Sequence, residues 1–209
     1  MGSKERKERE KELRRTQILD AAREVLLQKG IAGTGVAGIA KLAELSVGTI
    51  YVYFAGKEEI FAALQEEGIT ILAEMIHEAA DGEGGTGERL LDIAGAYFRF
   101  RIERANYFDI INYFLTTPEI VFPDDLKKRI DELAGGVLGE LEKVIALGME
   151  RKEIFHHSSR ECAVAYWGLL HGLLQFGKLR DTMLGVQDFR SFYLRAAKDF
   201  IGGLKRKRG

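Results

Sequence analysis

A run of hydroxyl-bearing and aromatic residues lies between positions 46 and 57 and ends in a single cation. Its polar members are Ser46, Thr49, Tyr51, Tyr53 and Lys57. Hydroxyl and ammonium groups donate hydrogen bonds to anionic oxygens, and the small residues at the start of the run let a backbone approach a partner closely. The predicted chemistry of this run is the binding of phosphate groups.

Apolar residues recur at helical spacing ahead of this run and predict a first helix over 13–29, which Gly30 ends. Thr34 is the expected N-cap of a second, short helix that ends at Ala43. Ser46 is the expected N-cap of a third. Two helices of about two turns each, joined by a tight turn, have the geometry of a helix-turn-helix, whose second helix enters the major groove of DNA.

The rest of the chain predicts six more helices and no strand, which gives an all-α protein of nine helices. Their expected spans are 57–80, 89–105, 107–115, 124–148, 162–184 and 188–201. The glycine-rich segment 81–88 is the clearest loop, and Pro118 and Pro123 mark a break. Ser158 with Glu161 predicts a capping box, and Asp188 is expected to open the last helix.

Composition favours an ordinary globular protein without a global positive field. Hydrophobic residues make up 46% of the 209 residues, charged residues 30%, and the formal net charge is −1. Any nucleic-acid binding must therefore come from a local patch. Residues 4–15 hold seven basic and four acidic side chains, and the tail KRKRG is basic too. A disordered arm without function remains an open interpretation of residues 4–15.

Localisation is predicted from features that the sequence lacks. A single cysteine, Cys162, excludes an internal disulfide and suits a reducing compartment, where it is expected to be an inert buried thiol. No apolar stretch approaches the length of a membrane span, and no secretory leader is recognised. We therefore expect a cytoplasmic protein that does not contact a membrane.

The segment IAGTGVAGIAKLAELSVGTIYVYFAGKEEI, residues 31–60, together with the preceding helix, resembles the DNA-binding domain of TetR-family transcriptional regulators. The resemblance covers about residues 12–70. The positions that match the family pattern are Thr34, Val36, Ile39, Ala40, Ala43, Ser46, Gly48, Thr49, Tyr51, Tyr53, Phe54, Lys57 and Glu58. It implies a homodimer that binds a pseudo-palindromic double-stranded DNA operator, usually as a repressor, and that a small-molecule effector releases.

The resemblance also implies which residues contact DNA. They lie at the start of the second helix, along the third and at the lysine that opens the fourth. The matching positions are Thr34, Ser46, Gly48, Thr49, Tyr51, Tyr53 and Lys57, to which helical spacing adds Val47 and Val52.

Four departures from the family pattern lower the expected DNA affinity. Gly35 stands at the position of a Ser or Thr that contacts phosphate, Val47 cannot read guanine, and Gly56 is a weak cap. Glu44 replaces the glycine of the turn, and a left-handed non-glycine residue costs roughly 1 kcal/mol, so the turn is expected to bend differently. We expect modest affinity, with help from the basic N-terminal arm.

The C-terminal two-thirds is expected to form a helical bundle rich in aromatic residues. Polar groups on its apolar helices are either satisfied core groups or contacts to a ligand held between helices. The candidates for the ligand pocket are Tyr97, Arg101, Tyr107, Asn112, Tyr113, Trp167, His171 and Gln175. The segment RFRIERANYFDIINYF is similar to segments of fatty-acyl-responsive members of the family, which suggests a lipid-like effector.

Small residues on the most apolar helix predict a close contact between two copies of the chain. The expected dimer interface consists of Ala165, Gly168, Leu169 and Gly172 with Phe192 and Ala196 of the last helix, where the family forms a four-helix interface. The predicted domains are a DNA-binding domain over 1–56, a connecting helix over 57–80 and an effector-binding and dimerisation domain over 81–209.

Other functional classes are less well supported by the sequence. An enzyme would need a nucleophile beside a base, or paired carboxylates in an apolar run, and none stands out. No cofactor or metal is expected, because the adjacent His156 and His157 lack further ligands nearby. The alternative that stays open is a helical protein-interaction or small-molecule-binding module without sequence-specific DNA binding.

Overall fold

The computed structural model describes residues 2–116, 122–155, 157–179, 185 and 187–205. Pro118, His156, the segment 180–184 and the tail from 206 onward lie outside the described residues. The described ranges contain nine α-helices and no strand, which confirms the all-α prediction. The helices are α1 (Ser3–Gly33), α2 (Val36–Leu42), α3 (Val47–Tyr53), α4 (Lys57–Ala80), α5 (Thr86–Glu103), α6 (Ala105–Thr116), α7 (Asp124–Glu150), α8 (Ser159–Phe176) and α9 (Phe189–Leu204).

The first helix is much longer than its apolar spacing predicts. It begins at Ser3 instead of residue 13, and it runs one turn past Gly30, whose φ of 66° and ψ of 179° interrupt the helical backbone. Residues 4–12 are nearly all Lys, Arg and Glu, which have high helix propensity without needing an apolar face. The prediction failed there because it relied on apolar periodicity, and a disordered arm is a wrong interpretation of this segment.

The turn between α2 and α3 contains a residue in the left-handed region although glycine is absent from the turn. Glu44 has a φ of 55°, in the left-handed region that favours glycine. The expectation of a differently bent turn is therefore wrong. The chain accepts the roughly 1 kcal/mol cost of a non-glycine residue instead of rearranging the turn.

The predicted caps are confirmed at three helix starts and wrong at one. The side chains of Ser46, Ser158 and Asp188 each accept a hydrogen bond from a backbone N–H in the first turn of α3, α8 and α9. The N-cap of α2 is Gly35 and not Thr34. The Thr34 hydroxyl instead donates to the carbonyl oxygen of Gly30 at 2.6 Å, which helps to close the break in α1.

Contacts divide the chain into two compact units, and the first comprises Met1–Gly68 with Asn106–Asp131. In this unit α1 packs on α2, and α2 packs on α3. The side chains that fill its centre are Ile18, Ala22, Ile39, Ile50, Phe54, Ile60 and Leu64. Helix α6 lies against the first half of α4, where the absence of a side chain at Gly68 gives room to Tyr107.

The second unit comprises Ile69–Ala105 with Glu132–Gly209. Helices α5, α8 and α9 pack against one another, around the buried rings of Tyr97, Phe100, Tyr166 and Tyr193. The predicted division by role into 1–56, 57–80 and 81–209 stays a prediction. The division by packing is a different one, because it groups α6 with the N-terminal helices.

No single helix of the described ranges is both long and apolar enough to cross a membrane. By length and composition alone one bent pair would pass that test, and this pair is α2 with α3.

Candidate nucleic-acid interface

Helix α3 has one buried side and one open side. Ile50 is 1% exposed and fixes the inner side in the core of the first unit. On the other side Val47 is 41% exposed, Tyr51 55% and Val52 77%. Helical spacing predicts the outward orientation of Val47 and Val52, and both are exposed; the contact of all three residues with DNA stays a prediction.

The two short helices are fastened by side chains of α1 that act on backbone carbonyls. Arg15 Nη1 donates to the carbonyl oxygen of Tyr53 at the end of α3 (2.8 Å), and its guanidinium lies 4.2 Å from the centre of the Phe54 ring. Gln17 Nε2 donates to the carbonyl oxygen of Ala43 at the end of α2 (2.8 Å). Both contacts satisfy C-terminal carbonyls that a helix leaves unpaired, and they fix where α3 points.

The start of α3 combines a tight cap with an open surface. Ser46 Oγ accepts from the backbone N–H of Thr49 at 3.0 Å and lies 2.8 Å from the Thr49 hydroxyl. A methyl group added at Gly48 would meet only Ser46 Oγ, at 3.7 Å. Packing within the chain therefore does not require glycine at position 48, although glycine weakens a helix.

The fourth helix opens with an exposed cation beside this surface. Lys57 is its first residue and is exposed. The carboxylate of Glu59 accepts from the backbone N–H of Ala55 at 2.6 Å, which secures the link between α3 and α4. This acidic cap explains how the chain tolerates Gly56 as the residue before α4.

The start of α2 exposes fewer side-chain hydrogen-bond donors than the sequence predicts. Thr34 is only 2% exposed and its hydroxyl is bonded to Gly30. The contact of Thr34 with DNA stays a prediction. Gly35 is exposed, and only its backbone is available for a contact.

Comparisons with known proteins find matches to one family of bacterial regulatory proteins. Residues 18–64, which include α2, α3 and the start of α4, match the model of the family described as bacterial regulatory proteins, tetR family. The fatty acid metabolism regulator protein of Bacillus subtilis is 29% identical over 138 residues, which are 66% of this chain and 69% of that protein. Residues 18–64 therefore carry the sequence of a TetR-family DNA-binding domain.

Solved structures agree with this assignment at the level of the fold. The fatty acid degradation regulator FadR from Bacillus halodurans superposes with a TM-score of 0.76 at 22% identity, over 93% of this chain and 97% of that one. FadR from Bacillus subtilis in complex with stearoyl-CoA gives a TM-score of 0.76 at 24% identity, over 90% and 98%. The chain thus has the all-α fold of these structures.

In the second unit, four of the predicted ligand residues come together. The ring of Tyr97 stacks on Trp167, with 4.3 Å between ring centres, and its hydroxyl lies 2.7 Å from His171 Nδ1. Gln175 Nε2 lies 3.2 Å from His171 Nε2. The ring of His171 thus lies between the Tyr97 hydroxyl and the Gln175 amide, with one ring nitrogen facing each.

Burial keeps this chain of polar groups uncharged. Desolvation lowers the pKa of His171 below its usual value of 6.5, so the neutral imidazole is favoured. Desolvation likewise raises the pKa of the Tyr97 phenol far above its ordinary range. Tyr97 is therefore a buried polar group of the bundle, and the half-buried His171 and Gln175 extend from it as a chain of polar contacts. Whether these residues are satisfied core groups or ligand contacts stays open.

Arg101 lies one turn beyond Tyr97 on α5 and lines a groove of about 620 Å³ in the same unit. The apolar side chains of that groove are Phe98, Ile102, Leu174 and Phe189, and Arg190 supplies a second cation. This volume falls within the range of small-molecule sites, roughly 300–1,000 Å³.

The other three predicted ligand residues belong to the first unit. Tyr107 covers the guanidinium of Arg23 (4.8 Å from the ring centre), and burial, together with the Glu67 carboxylate, raises the pKa of Tyr107 to about 12. Asn112 has a buried Oδ1 without a hydrogen-bond partner among the described residues. Tyr113 is half-buried on α6.

The residues predicted to form the dimer interface lie on open faces of α8 and α9. Ala165 and Gly168 are exposed, Leu169 and Gly172 are half-exposed, and methyl groups added at the two glycines would meet nothing within 4 Å. Phe192 and Ala196 are half-exposed one turn apart on α9.

Sequence reasoning missed Arg15 and Gln17. Their partners are backbone carbonyls 38 and 26 residues away, and a carbonyl carries no side-chain signature. A weak signal was available, because both are polar residues beside the apolar stripe of α1, where a side chain can reach over a neighbouring helix.

Proposed function

We propose that this TetR-family regulator binds a pseudo-palindromic DNA operator as a homodimer, represses transcription, and is released by a small amphipathic ligand. The observation that carries the DNA-binding proposal is the open side of α3. Exposed Val47, Tyr51 and Val52 flank a glycine, Gly48, that internal packing does not need. The open surface over Gly48, which no side chain of the chain fills, supports a close approach of DNA to the start of α3.

The predicted contacts divide into two kinds. Hydroxyls of Ser46, Thr49, Tyr51 and Tyr53 and the Lys57 ammonium donate to phosphate oxygens and set the position of α3. Val47 and Val52 contact base edges, where a valine methyl group recognises the methyl group of thymine. The operator is therefore expected to carry A·T pairs under α3.

The open face of α8 supports the homodimer. Large apolar side chains on this helix, Val164 and Phe176, are 51% and 50% exposed beside the small residues Ala165, Gly168 and Gly172. Contiguous exposed apolar surface marks an interaction site, and small residues let two helices approach closely. With α9 of each protomer, two copies of this face would form a two-fold interface.

The groove beside Arg101 supports an effector with an apolar chain and an anionic end. Its four apolar side chains suit a hydrocarbon, and Arg101 and Arg190, which line the groove together with the carboxylate of Asp188, suit a carboxylate or phosphate. Stearoyl-CoA, the ligand of the Bacillus subtilis FadR complex, has this chemistry. Helix α4 contributes residues to both compact units, and we infer that it carries the effect of the ligand to α3.

A titration of a duplex that carries the protein's own upstream region tests DNA binding. Lys57→Ala should weaken binding to specific and nonspecific duplexes alike and lower the slope of log affinity against log salt by about one per protomer. Lys198→Ala, an exposed lysine on α9, is the matched control and should leave the slope unchanged. If the wild-type protein binds no duplex, the proposed function is wrong and the interaction-module alternative remains.

Ligand release is tested by adding stearoyl-CoA to the protein–DNA complex, with coenzyme A and stearate as separate controls. A ligand shifts the equilibrium only by its differential affinity for the two states, so release must follow saturation of the protein. Arg101→Gln should raise the concentration needed for release. If stearoyl-CoA saturates the protein and operator affinity does not change, an effector of this class is wrong.

A further inference from the structure

The N-terminal extension of α1 separates its charges onto two faces. Lys4, Lys7, Lys11 and Arg14 follow one another at intervals of three and four residues, the spacing that keeps side chains on one side of a helix. Glu5, Glu8 and Glu12 repeat the same spacing on an adjacent face. We name the first set the basic stripe.

The basic stripe continues the buried stripe of the same helix. Its spacing carries on without a break through Ile18, Ala21 and Val25, which are at most 6% exposed. These residues form the face of α1 that packs in the core of the first unit, where α1 contacts α2. The basic stripe therefore faces the side of α1 on which α2 lies, beyond the point where the packed domain ends.

The extension leaves the domain next to the end of α3. Arg15, the next residue after the stripe, holds the carbonyl of Tyr53, and Lys57 follows only four residues later in the chain. From Arg15 back to Ser3 the helix extends about 18 Å at 1.5 Å per residue. It thus reaches well past the phosphate-binding residues proposed for α3 and α4.

Among the residues that the structure describes, the lysines of the stripe have no ion-pair partner. Lys4, Lys7 and Lys11 are all exposed. A row of unpaired cations on a rigid helix fits the regular row of phosphates of a duplex, and each contact releases counterions.

We propose that the basic stripe is a second DNA-binding element that holds the phosphate backbone of the duplex outside the segment contacted by α3. This inference rests on the proposed DNA binding and extends it. Its partner is a phosphate row and not base edges, so the element adds affinity without adding sequence specificity.

The test combines Lys4→Gln, Lys7→Gln and Lys11→Gln in the full chain, on a duplex selected by the wild-type protein from a random library. The slope of log affinity against log salt should fall by about 0.9 for each lost contact, which is about 2.7 per protomer. The hydroxyl-radical footprint should lose backbone positions outside those protected by α3. The corresponding Lys→Arg triple variant should restore both.

Two control variants separate the stripe from general electrostatics. Glu5→Gln, Glu8→Gln and Glu12→Gln together change the adjacent face and should not reduce the slope. Lys143→Gln with Lys198→Gln and Lys205→Gln removes the same charge from the second unit and should not shorten the footprint.

The outcomes are distinct. A lysine-stripe variant with the wild-type slope and footprint overturns the inference and leaves DNA binding by α3 intact. A fall in slope that the second-unit lysines reproduce also overturns it. A wild-type protein that protects no position on any duplex overturns both this inference and the proposed function.

Discussion

Two tyrosines show how differently the two compact units use the same residue. Tyr51 on α3 is 55% exposed, whereas Tyr97 on α5 is 1% exposed, stacked on Trp167 and bonded to His171. On α3 the outward side chains contribute little to the fold, because Ile50 and the fasteners from α1 hold the helix. In the bundle Tyr97, a candidate for ligand binding, is itself part of the core.

The largest expected effect is that of Tyr97→Ala. The change removes a buried ring from Trp167 and leaves His171 without its partner, and large-to-small core substitutions of this kind cost about 3–5 kcal/mol. The free energy of unfolding from urea titration checks the value, and Tyr97→Phe should cost only about 1 kcal/mol. A loss below 1 kcal/mol for the alanine variant would mean that this stack does not support the bundle.

Arg15→Met should lower the free energy of unfolding by about 2 kcal/mol. It removes a hydrogen bond from a charged donor to the Tyr53 carbonyl, a contact worth about 1.5–3 kcal/mol, together with the stacking on Phe54. Arg9→Met, on the exposed extension of the same helix, is the control and should stay within about 0.5 kcal/mol of wild type. Equal effects of the two variants would argue against the fastening role.

Tyr51→Ala reverses the pattern of Tyr97→Ala. Operator affinity should fall about tenfold, about 1.4 kcal/mol, because a phosphate contact is lost. The free energy of unfolding should change by less than about 0.5 kcal/mol. Fluorescence anisotropy and urea titration measure the two quantities, and Tyr51→Phe separates the hydroxyl from the ring. A Tyr51→Ala protein that unfolds more easily but binds DNA normally would assign the residue to the core.

Acid should weaken the bundle through His171. Burial lowers its pKa in the folded protein, so below the unfolded value of about 6.5 the unfolded chain binds more protons and stability falls as the pH falls. The loss is at most about 1.4 kcal/mol per pH unit. His171→Phe should flatten the dependence of unfolding free energy between pH 6.5 and 5. Identical pH profiles for His171→Phe and wild type would refute this assignment.

The smallest expected effect is a gain in stability on the DNA side. Gly48→Ala should raise the free energy of unfolding by about 0.5–1 kcal/mol, since alanine favours a helix and the added methyl group meets only Ser46 Oγ at 3.7 Å. The same methyl group should weaken operator binding by occupying the open surface. A stabilised variant with unchanged affinity would show that the space over Gly48 is not used.

The sequence predicts the DNA-binding surface better than it predicts what holds that surface in place. The cap of α3 by Ser46 could be predicted because it depends on a spacing of three residues within one helix. The fasteners from α1 depend on contacts across 26 and 38 residues to backbone atoms, which no local pattern encodes.

Errors elsewhere have physical causes of the same kind. The extension of α1 escaped prediction because its stability comes from helix propensity and not from an apolar face. Thr34 was expected to cap α2, but the break in α1 at Gly30 gave its hydroxyl an internal partner. Tyr107 was grouped with the bundle by its position in the chain, yet it packs with Arg23 of α1.

The hydrogen bonds that Arg15 and Gln17 of α1 donate to backbone carbonyls bear on which residues of α3 can be substituted. Arg15 and Gln17 grip main-chain oxygens, which every amino acid possesses, so the grip does not depend on the side chains displayed along α3. The residues at positions 47, 48, 51 and 52 can therefore be substituted together without loss of these two hydrogen bonds. The exposed side of α3 can therefore change in sequence while the contacts that hold the helix stay the same.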